Sequence, residues 1–157
     1  MIFKKIPDEI AGSFSYDPDT GRFLPIIGYT KESEGYLIYR HPQFGEFRVH
    51  RLAWWCIYGE DPGESLIDHK NCEGLDNRKN NLRKASHEQN LANQRLSKNN
   101  ISGVKGVYWD NTRKKWRARG RHQGKYFISA YFESLEEAES AIREAREKVC
   151  GEFTNHG

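Results

Sequence analysis

The segment Lys115-Trp116-Arg117-Ala118-Arg119-Gly120-Arg121 alternates between cationic side chains and apolar or small ones. Successive side chains of a strand point to opposite faces, so a period of two predicts a strand. Arg117, Arg119 and Arg121 then share one face, and Trp116, Ala118 and Gly120 the other. The runs 105–110 and 125–132 on either side are also strand-like. They are separated from it by Asn111-Thr112-Arg113 and His122-Gln123-Gly124, which suit hairpin turns. Further on, Ser134 and Glu137 have the spacing of a capping box, and Leu135, Ala138, Ile142, Ala145 and Val149 follow the helical period up to Gly151. The expected unit is a three-stranded antiparallel sheet packed on one helix, with Ala118 and Gly120 allowing close approach of Ala138, Ala141 and Ala145.

Charge is concentrated in the same region. Between Arg95 and Tyr126 there are ten Lys or Arg against the single acid Asp110, a local +9 in a chain of net +3, which leaves −6 for the remainder. Such asymmetry is the footprint of a polyanion-binding segment joined to a less basic body. Arginines two apart on a strand can meet successive phosphates or guanine edges in a major groove wide enough for a β-ribbon. The sheet face with Arg117, Arg119, Arg121 and nearby Lys125 is therefore expected to bind double-stranded DNA.

The first half reads differently. Residues 14–49 are rich in Tyr, Phe, Ile and Gly, with turn signals at Asp17-Pro18-Asp19-Thr20-Gly21 and Glu34-Gly35, and predict a few short strands. His50 to Tyr58 has helical spacing and stops at Gly59. Leu66-Ile67-Asp68-His69 is a brief extended segment, followed by a polar loop, a second extended piece at Asn81-Leu82-Arg83, and a helix opened by Ser86 and Gln89. Ser97-Lys98-Asn99-Asn100 has linker composition. The expected organisation is a β-rich segment at 1–49, a module at 50–96, a linker at 97–101 and the sheet-and-helix domain at 102–157, an α+β chain overall.

No stretch approaches the roughly 20 apolar residues of a membrane span, and the start of the chain carries no secretory signal, so no membrane partner and a cytoplasmic location are expected. Cys56, Cys72 and Cys150 are odd in number and lack Cys-x-x-Cys spacing, which predicts free thiols rather than disulfides or a zinc site.

Asp68 and His69 are adjacent, Asn81 follows thirteen positions after Asp68, and Asn90 falls in the first turn of the Ser86 helix. Phosphodiester hydrolysis requires a base to activate water and positive charge near the scissile phosphate. A histidine beside oxygen ligands can supply both. Because adjacent strand residues diverge, Asp68 and His69 can converge on one phosphate only if the backbone after Ile67 is irregular.

With His50-Arg51-Leu52-Ala53-Trp54, Ile67-Asp68-His69, Asp76-Asn77-Arg78, Asn81-Leu82-Arg83 and Asn90 in this order, the chain resembles the HNH endonucleases, particularly the phage and intron-type homing enzymes. The resemblance implies a ββα-metal module in which Asp68 and Asn90 bind one divalent cation, His69 is the general base and Asn81 helps orient the site. Two protein oxygens suit Mg²⁺, which keeps several waters, with Mn²⁺ as an alternative. His87 is a weaker candidate for a third histidine because its spacing is wrong. These enzymes usually carry Asn-Gly after the Asp-His pair, where this chain has Asn71-Cys72, with glycine delayed to Gly74. Arg51 is read either as a phosphate contact or as a solvated cap, and the adjoining tryptophans as core.

From Ser102-Gly103-Val104-Lys105-Gly106-Val107 to the Glu136-Glu137-Ala138 helix, the second half is similar to the APETALA/ethylene-response-factor DNA-binding domain. That resemblance places Arg119 and Arg121 on the groove-reading face, flanked by Arg117, Tyr108, Tyr126 and Ile128. The function implied is a DNA endonuclease that nicks, or cuts both strands as a dimer. A non-catalytic DNA-binding regulator is the alternative, and the sequence leaves monomer or homodimer open.

Overall fold

The computed structural model describes residues 4–157, which form two compact units, the first ending at Ser86 and the second running His87–Gly157. Both are α+β, built from short helices and small antiparallel sheets.

The first unit opens with the hairpin β1 (Phe14–Tyr16) and β2 (Phe23–Pro25). Its turn is built by Asp17, whose carboxylate accepts from the Asp19 amide at 2.9 Å and the Thr20 hydroxyl at 2.7 Å. Next comes the three-stranded sheet of β3 (Tyr29–Ser33), β4 (Tyr36–His41) and β5 (Gly45–Arg48), with β4 in the middle. Helix α1 (Val49–Tyr58) follows directly and ends where Gly59 takes a left-handed φ of 69° and its N–H reaches the Trp55 carbonyl. Ile10, Phe14, Phe23, Tyr39, Val49 and Leu52 form one core. Full burial of each such side chain contributes about 1.5–3 kcal/mol.

Ala53 and Trp54 on α1 pack against Ile67 and Leu82, which fixes the ribbon of β6 (Leu66–His69) and β7 (Leu82–Ala85) on the helix. Trp54 is core, as expected, and Trp55 is half-buried against the larger cluster. Backbone and side-chain bonds tie the β1–β2 hairpin to the β6–β7 connection. The Tyr16 hydroxyl donates to the Asn77 carbonyl at 2.7 Å, and the Lys79 amide to the Pro18 carbonyl at 2.8 Å.

The second unit begins with helix α2 (His87–Asn93) and contains β8 (Val107–Asp110), β9 (Lys115–His122), β10 (Lys125–Phe132) and helix α3 (Leu135–Cys150). β9 lies between the other two strands. Asp110 builds the first turn by accepting from the amides of Thr112 and Arg113, and Gln123 and Gly124, both at positive φ, form the second. Ser134 caps α3 by accepting from the Glu137 amide at 3.1 Å. Ala118 and Ala138, both fully buried, let α3 approach β9, with Val104, Val107 and Ile142 completing the core.

Three features depart from expectation. The packing boundary lies ahead of α2 rather than at 97–101, because α2 is bonded into the second unit: Lys105 Nζ and Arg146 Nη2 each donate to the Ala92 carbonyl at 3.0 Å. Residues 97–101 include a folded turn in which the Asn100 carboxamide donates to the Val104 carbonyl and accepts from the Gly103 amide. On α3 the helical stripe ends differently, since Val149 is 36% exposed and Arg146 only 8%. Finally, a bulge between Tyr126 and Ile128 turns Phe127 over Gly120, where a Cβ would lie 2.1 Å from the ring. Among the described residues no helix is long and apolar enough to cross a membrane.

Candidate active site

Asp68 and His69 close β6, paired in register with Arg83 and Leu82 of β7. Both are buried, at 5% and 4% exposure. The pairing is regular through His69, so the irregular backbone that convergence was expected to need after Ile67 begins only at Lys70, beyond both residues. On one face the Arg83 Nε donates to Asp68 Oδ2 at 2.9 Å across the ribbon. On the other, His69 meets residues from three different parts of the first unit.

Asn77, 2% exposed, donates through Nδ2 to the Leu75 carbonyl at 3.2 Å and therefore presents Oδ1 to His69 Nε2 at 3.3 Å. An acceptor at Nε2 places the proton there and makes Nδ1 the basic nitrogen of the neutral ring. His50 of α1 sets its ring perpendicular to that of His69, with centroids 5.2 Å apart. Tyr36 of β4 packs against both imidazoles, at 5.5 Å from His50 and 5.9 Å from His69. Burial pushes the His69 pKa below its ordinary value, opposed by the Asn77 hydrogen bond and by Asp68 and Asp76. Burial, then His69, Arg48 and Arg51, hold His50 well below its own. Both rings are uncharged near neutral pH.

The loop from Lys70 to Arg78 is held from inside. Asn81 accepts from the Asn71 amide at 3.0 Å and donates to the Asp76 carbonyl at 2.7 Å, clamping both arms of the loop. Asp76 receives the Arg78 guanidinium through Nε at 2.8 Å and Nη2 at 2.6 Å, and these bonds hold its carboxyl down to about 2. Gly74 lies where a Cβ would fall 2.3 Å from the Gly35 carbonyl oxygen and 2.8 Å from the Tyr36 ring. Cys72 has a left-handed φ of 60°, a conformation that favours glycine. The glycine usual in the resembling enzymes thus has a backbone reason, and this chain places a β-carbon there instead.

Arg51 is not a solvated contact. Its side chain is 6% exposed, lies 3.6 Å from Asp61, and donates to the carbonyls of Ser65 at 2.9 Å and Gly63 at 2.6 Å. The guanidinium that a phosphate would have used anchors the loop leading into β6. Asn90 lies half-buried on α2 of the second unit, and His87 is exposed at the start of that helix. Asp68 supplies a carboxylate in the first unit and Asn90 a carboxamide in the second, and oxygen donors of these kinds suit Mg²⁺. Among the described residues no group of three or more His, Cys, Asp or Glu could hold a metal ion.

In the second unit the alternating strand places its arginines as expected. Register aligns Tyr108, Arg117 and Tyr131 across the three strands, and the Arg117 guanidinium lies over both rings, at 5.9 and 5.2 Å. Arg119 and Arg121 lie over Tyr126, at 4.5 and 5.6 Å, and Arg119 Nη2 also donates to the Tyr126 hydroxyl. Tyrosine faces thus hold the three guanidiniums in place, Arg119 and Arg121 exposed and Arg117 half-buried. Lys125 stands beside them at the hairpin end, paired with His122. Ile128 is not on this face, because the bulge after Tyr126 directs it to the core.

Asn77, Tyr36, His50 and Arg83 are the site neighbours to which the sequence alone assigns no role. Asn77 and Arg83 lie within the motif pieces and His50 begins one. Tyr36 carries no local signal at all.

The HNH endonuclease family matches residues 47–92, a span that takes in α1, the β6–β7 ribbon and nearly all of α2. Protein 3.8 of Escherichia phage T7 is 31% identical over 106 residues, covering 68% of this chain and 87% of that protein. No solved structure matches the chain.

Proposed function

The chain belongs to the HNH endonuclease family, with a relative in phage T7, and from that membership we propose that it is a divalent-cation-dependent DNA endonuclease of the homing type. The observation that carries the reading is the Asn77–His69 hydrogen bond beside Asp68, inside the matched segment. It gives the chain a neutral imidazole with a defined basic nitrogen, adjacent in sequence to a buried carboxylate on the other face of the ribbon.

His69 takes the proton of the attacking water at Nδ1, and Asn77 stabilises the resulting imidazolium at Nε2. Asn81 keeps the loop closed around the pair. Asp68 and Asn90 would hold the cation, Mg²⁺ or Mn²⁺, which when bound offsets charge on the scissile phosphate and the departing oxygen. Arg83 fixes the Asp68 carboxylate and supplies a second positive charge. One such site per chain hydrolyses one phosphodiester, so a nick is the elementary product, and double-strand cutting takes two sites.

In this reading the C-terminal unit, which resembles the APETALA/ethylene-response-factor domain in sequence, holds the duplex through Arg117, Arg119, Arg121 and Lys125, with Tyr108 and Tyr126 bracing the guanidiniums. The endonuclease family supports DNA as the substrate, and the phage relative supports a phage-encoded protein acting in the cytoplasm of a bacterial host.

Supercoiled plasmid incubated with Mg²⁺ tests the reading: conversion to the open-circular form that stops on chelation and is lost in Asp68→Asn is expected. A protein that binds the plasmid and leaves it supercoiled in both Mg²⁺ and Mn²⁺ is a DNA-binding regulator instead.

A further inference from the structure

Arg146 occupies a position on α3 where the helical stripe leads one to expect an apolar residue. It is 8% exposed, and Nη2 donates to the carbonyls of Ala92 and Asn155 at 3.0 Å each. Its Nε is buried without a hydrogen-bond partner, and among the described residues no carboxylate pairs with it. A buried cation with no carboxylate beside it is costly unless an anion offsets its charge.

The same side chain forms part of the wall of a cavity of about 400 Å³ within the second unit. His87, Arg121 and His122 line it too, above an apolar patch from Phe127, and Glu88 is the only acid. Arg121 is held through Nε by the Gly124 carbonyl at 2.8 Å, which leaves its two Nη groups for a ligand. Two fixed cations and two imidazoles against one carboxylate favour an anion. A guanidinium fork matches the oxygens of a tetrahedral phosphate, and Arg146 of α3 and Arg121 of β9 both line this cavity. Arg121 also belongs to the arginine–tyrosine face, so the cavity is continuous with a surface suited to a phosphate-bearing polymer.

We propose that this cavity binds a phosphate group, free or carried by a nucleic-acid strand, between Arg146 in its wall and Arg121, His87 and His122 around it. Its lining belongs entirely to the second unit, and phosphate binding there does not depend on cleavage.

The test is nuclear magnetic resonance on the full chain, following the Arg146 Nε–H signal and the imidazole signals of His87 and His122 during titration with inorganic phosphate. Saturable shifts in all three are expected, with affinity roughly tenfold weaker in the Arg121→Ala/His122→Ala double variant. Both substitutions lie at the cavity's edge, so the melting temperature should hold. Displacement of phosphate by a DNA oligonucleotide lacking terminal phosphates assigns the site to the strand backbone. Displacement only by the 5′-phosphorylated oligonucleotide assigns it to a strand end, and displacement by neither assigns it to free phosphate. An Arg146 signal that phosphate leaves unmoved at millimolar concentration, or equal affinity in the double variant, overturns the proposal. Plasmid cleavage is read separately, so failure here leaves the nuclease reading untouched.

Discussion

Asn77 Oδ1 faces His69 Nε2 at 3.3 Å because the other end of the carboxamide is committed to the Leu75 carbonyl. A loop residue eight positions away thereby decides which nitrogen of the histidine is basic. Asn77→Ala should lower kcat by about 10–100-fold with little change in KM, by analogy with groups that orient ligating histidines. Steady-state kinetics on a plasmid substrate check this, and an unchanged kcat would show that the bond does not position the ring.

His50 and His69 are both held below their ordinary pKa of 6.5 by burial. In the unfolded chain each returns to that value and binds a proton more readily than in the folded one. Stability is therefore complete above pH 6.5 and falls as the pH drops from 6.5 toward the depressed folded values. Melting temperatures measured from pH 8 to pH 5 should decline below pH 6.5, and His50→Phe should make that decline shallower. A wild-type profile that stays flat across the range would contradict the burial of two neutral imidazoles.

Cys72 has a φ of 60° with a side chain attached. Left-handed backbone costs about 1–2 kcal/mol for a residue with a β-carbon, and glycine returns part of it as unfolded-state entropy, so Cys72→Gly should stabilise by about 1 kcal/mol. Urea denaturation measures the gain. Destabilisation would mean that the packing of the Cys72 side chain outweighs the strain.

Arg119 and Arg121 share the Tyr126 ring on the exposed face of the sheet. Replacing either by Ala should weaken DNA binding by about 1–3 kcal/mol where its guanidinium reads a base edge and, where it meets a phosphate, reduce the salt dependence. Binding isotherms at several salt concentrations test this, and affinity unchanged at all of them would remove the face from the account.

These expectations rest on features that differ in how plainly the sequence displays them. The β8–β10 sheet was legible because strict alternation across Lys115–Arg121 has one structural meaning, and α3 because Ser134 and Gly151 mark its ends. Asp68, His69 and Asn81 were legible as a motif. The partners that give them geometry were not, since Tyr36, His50 and Asn77 come from a strand, a helix and a loop that only tertiary packing brings together. Arg51 and Arg146 show the same limit in reverse. Their type suggests exposure, yet backbone carbonyls at Gly63, Ser65, Ala92 and Asn155 draw both inside.

His69 as the general base is the central claim, and single-turnover cleavage of supercoiled plasmid by wild type and His69→Ala, both with saturating Mg²⁺, tests it most directly. The account predicts that His69→Ala binds DNA as the wild type does but cleaves about 10²–10⁴-fold more slowly. Equal cleavage rates for the two proteins would contradict it.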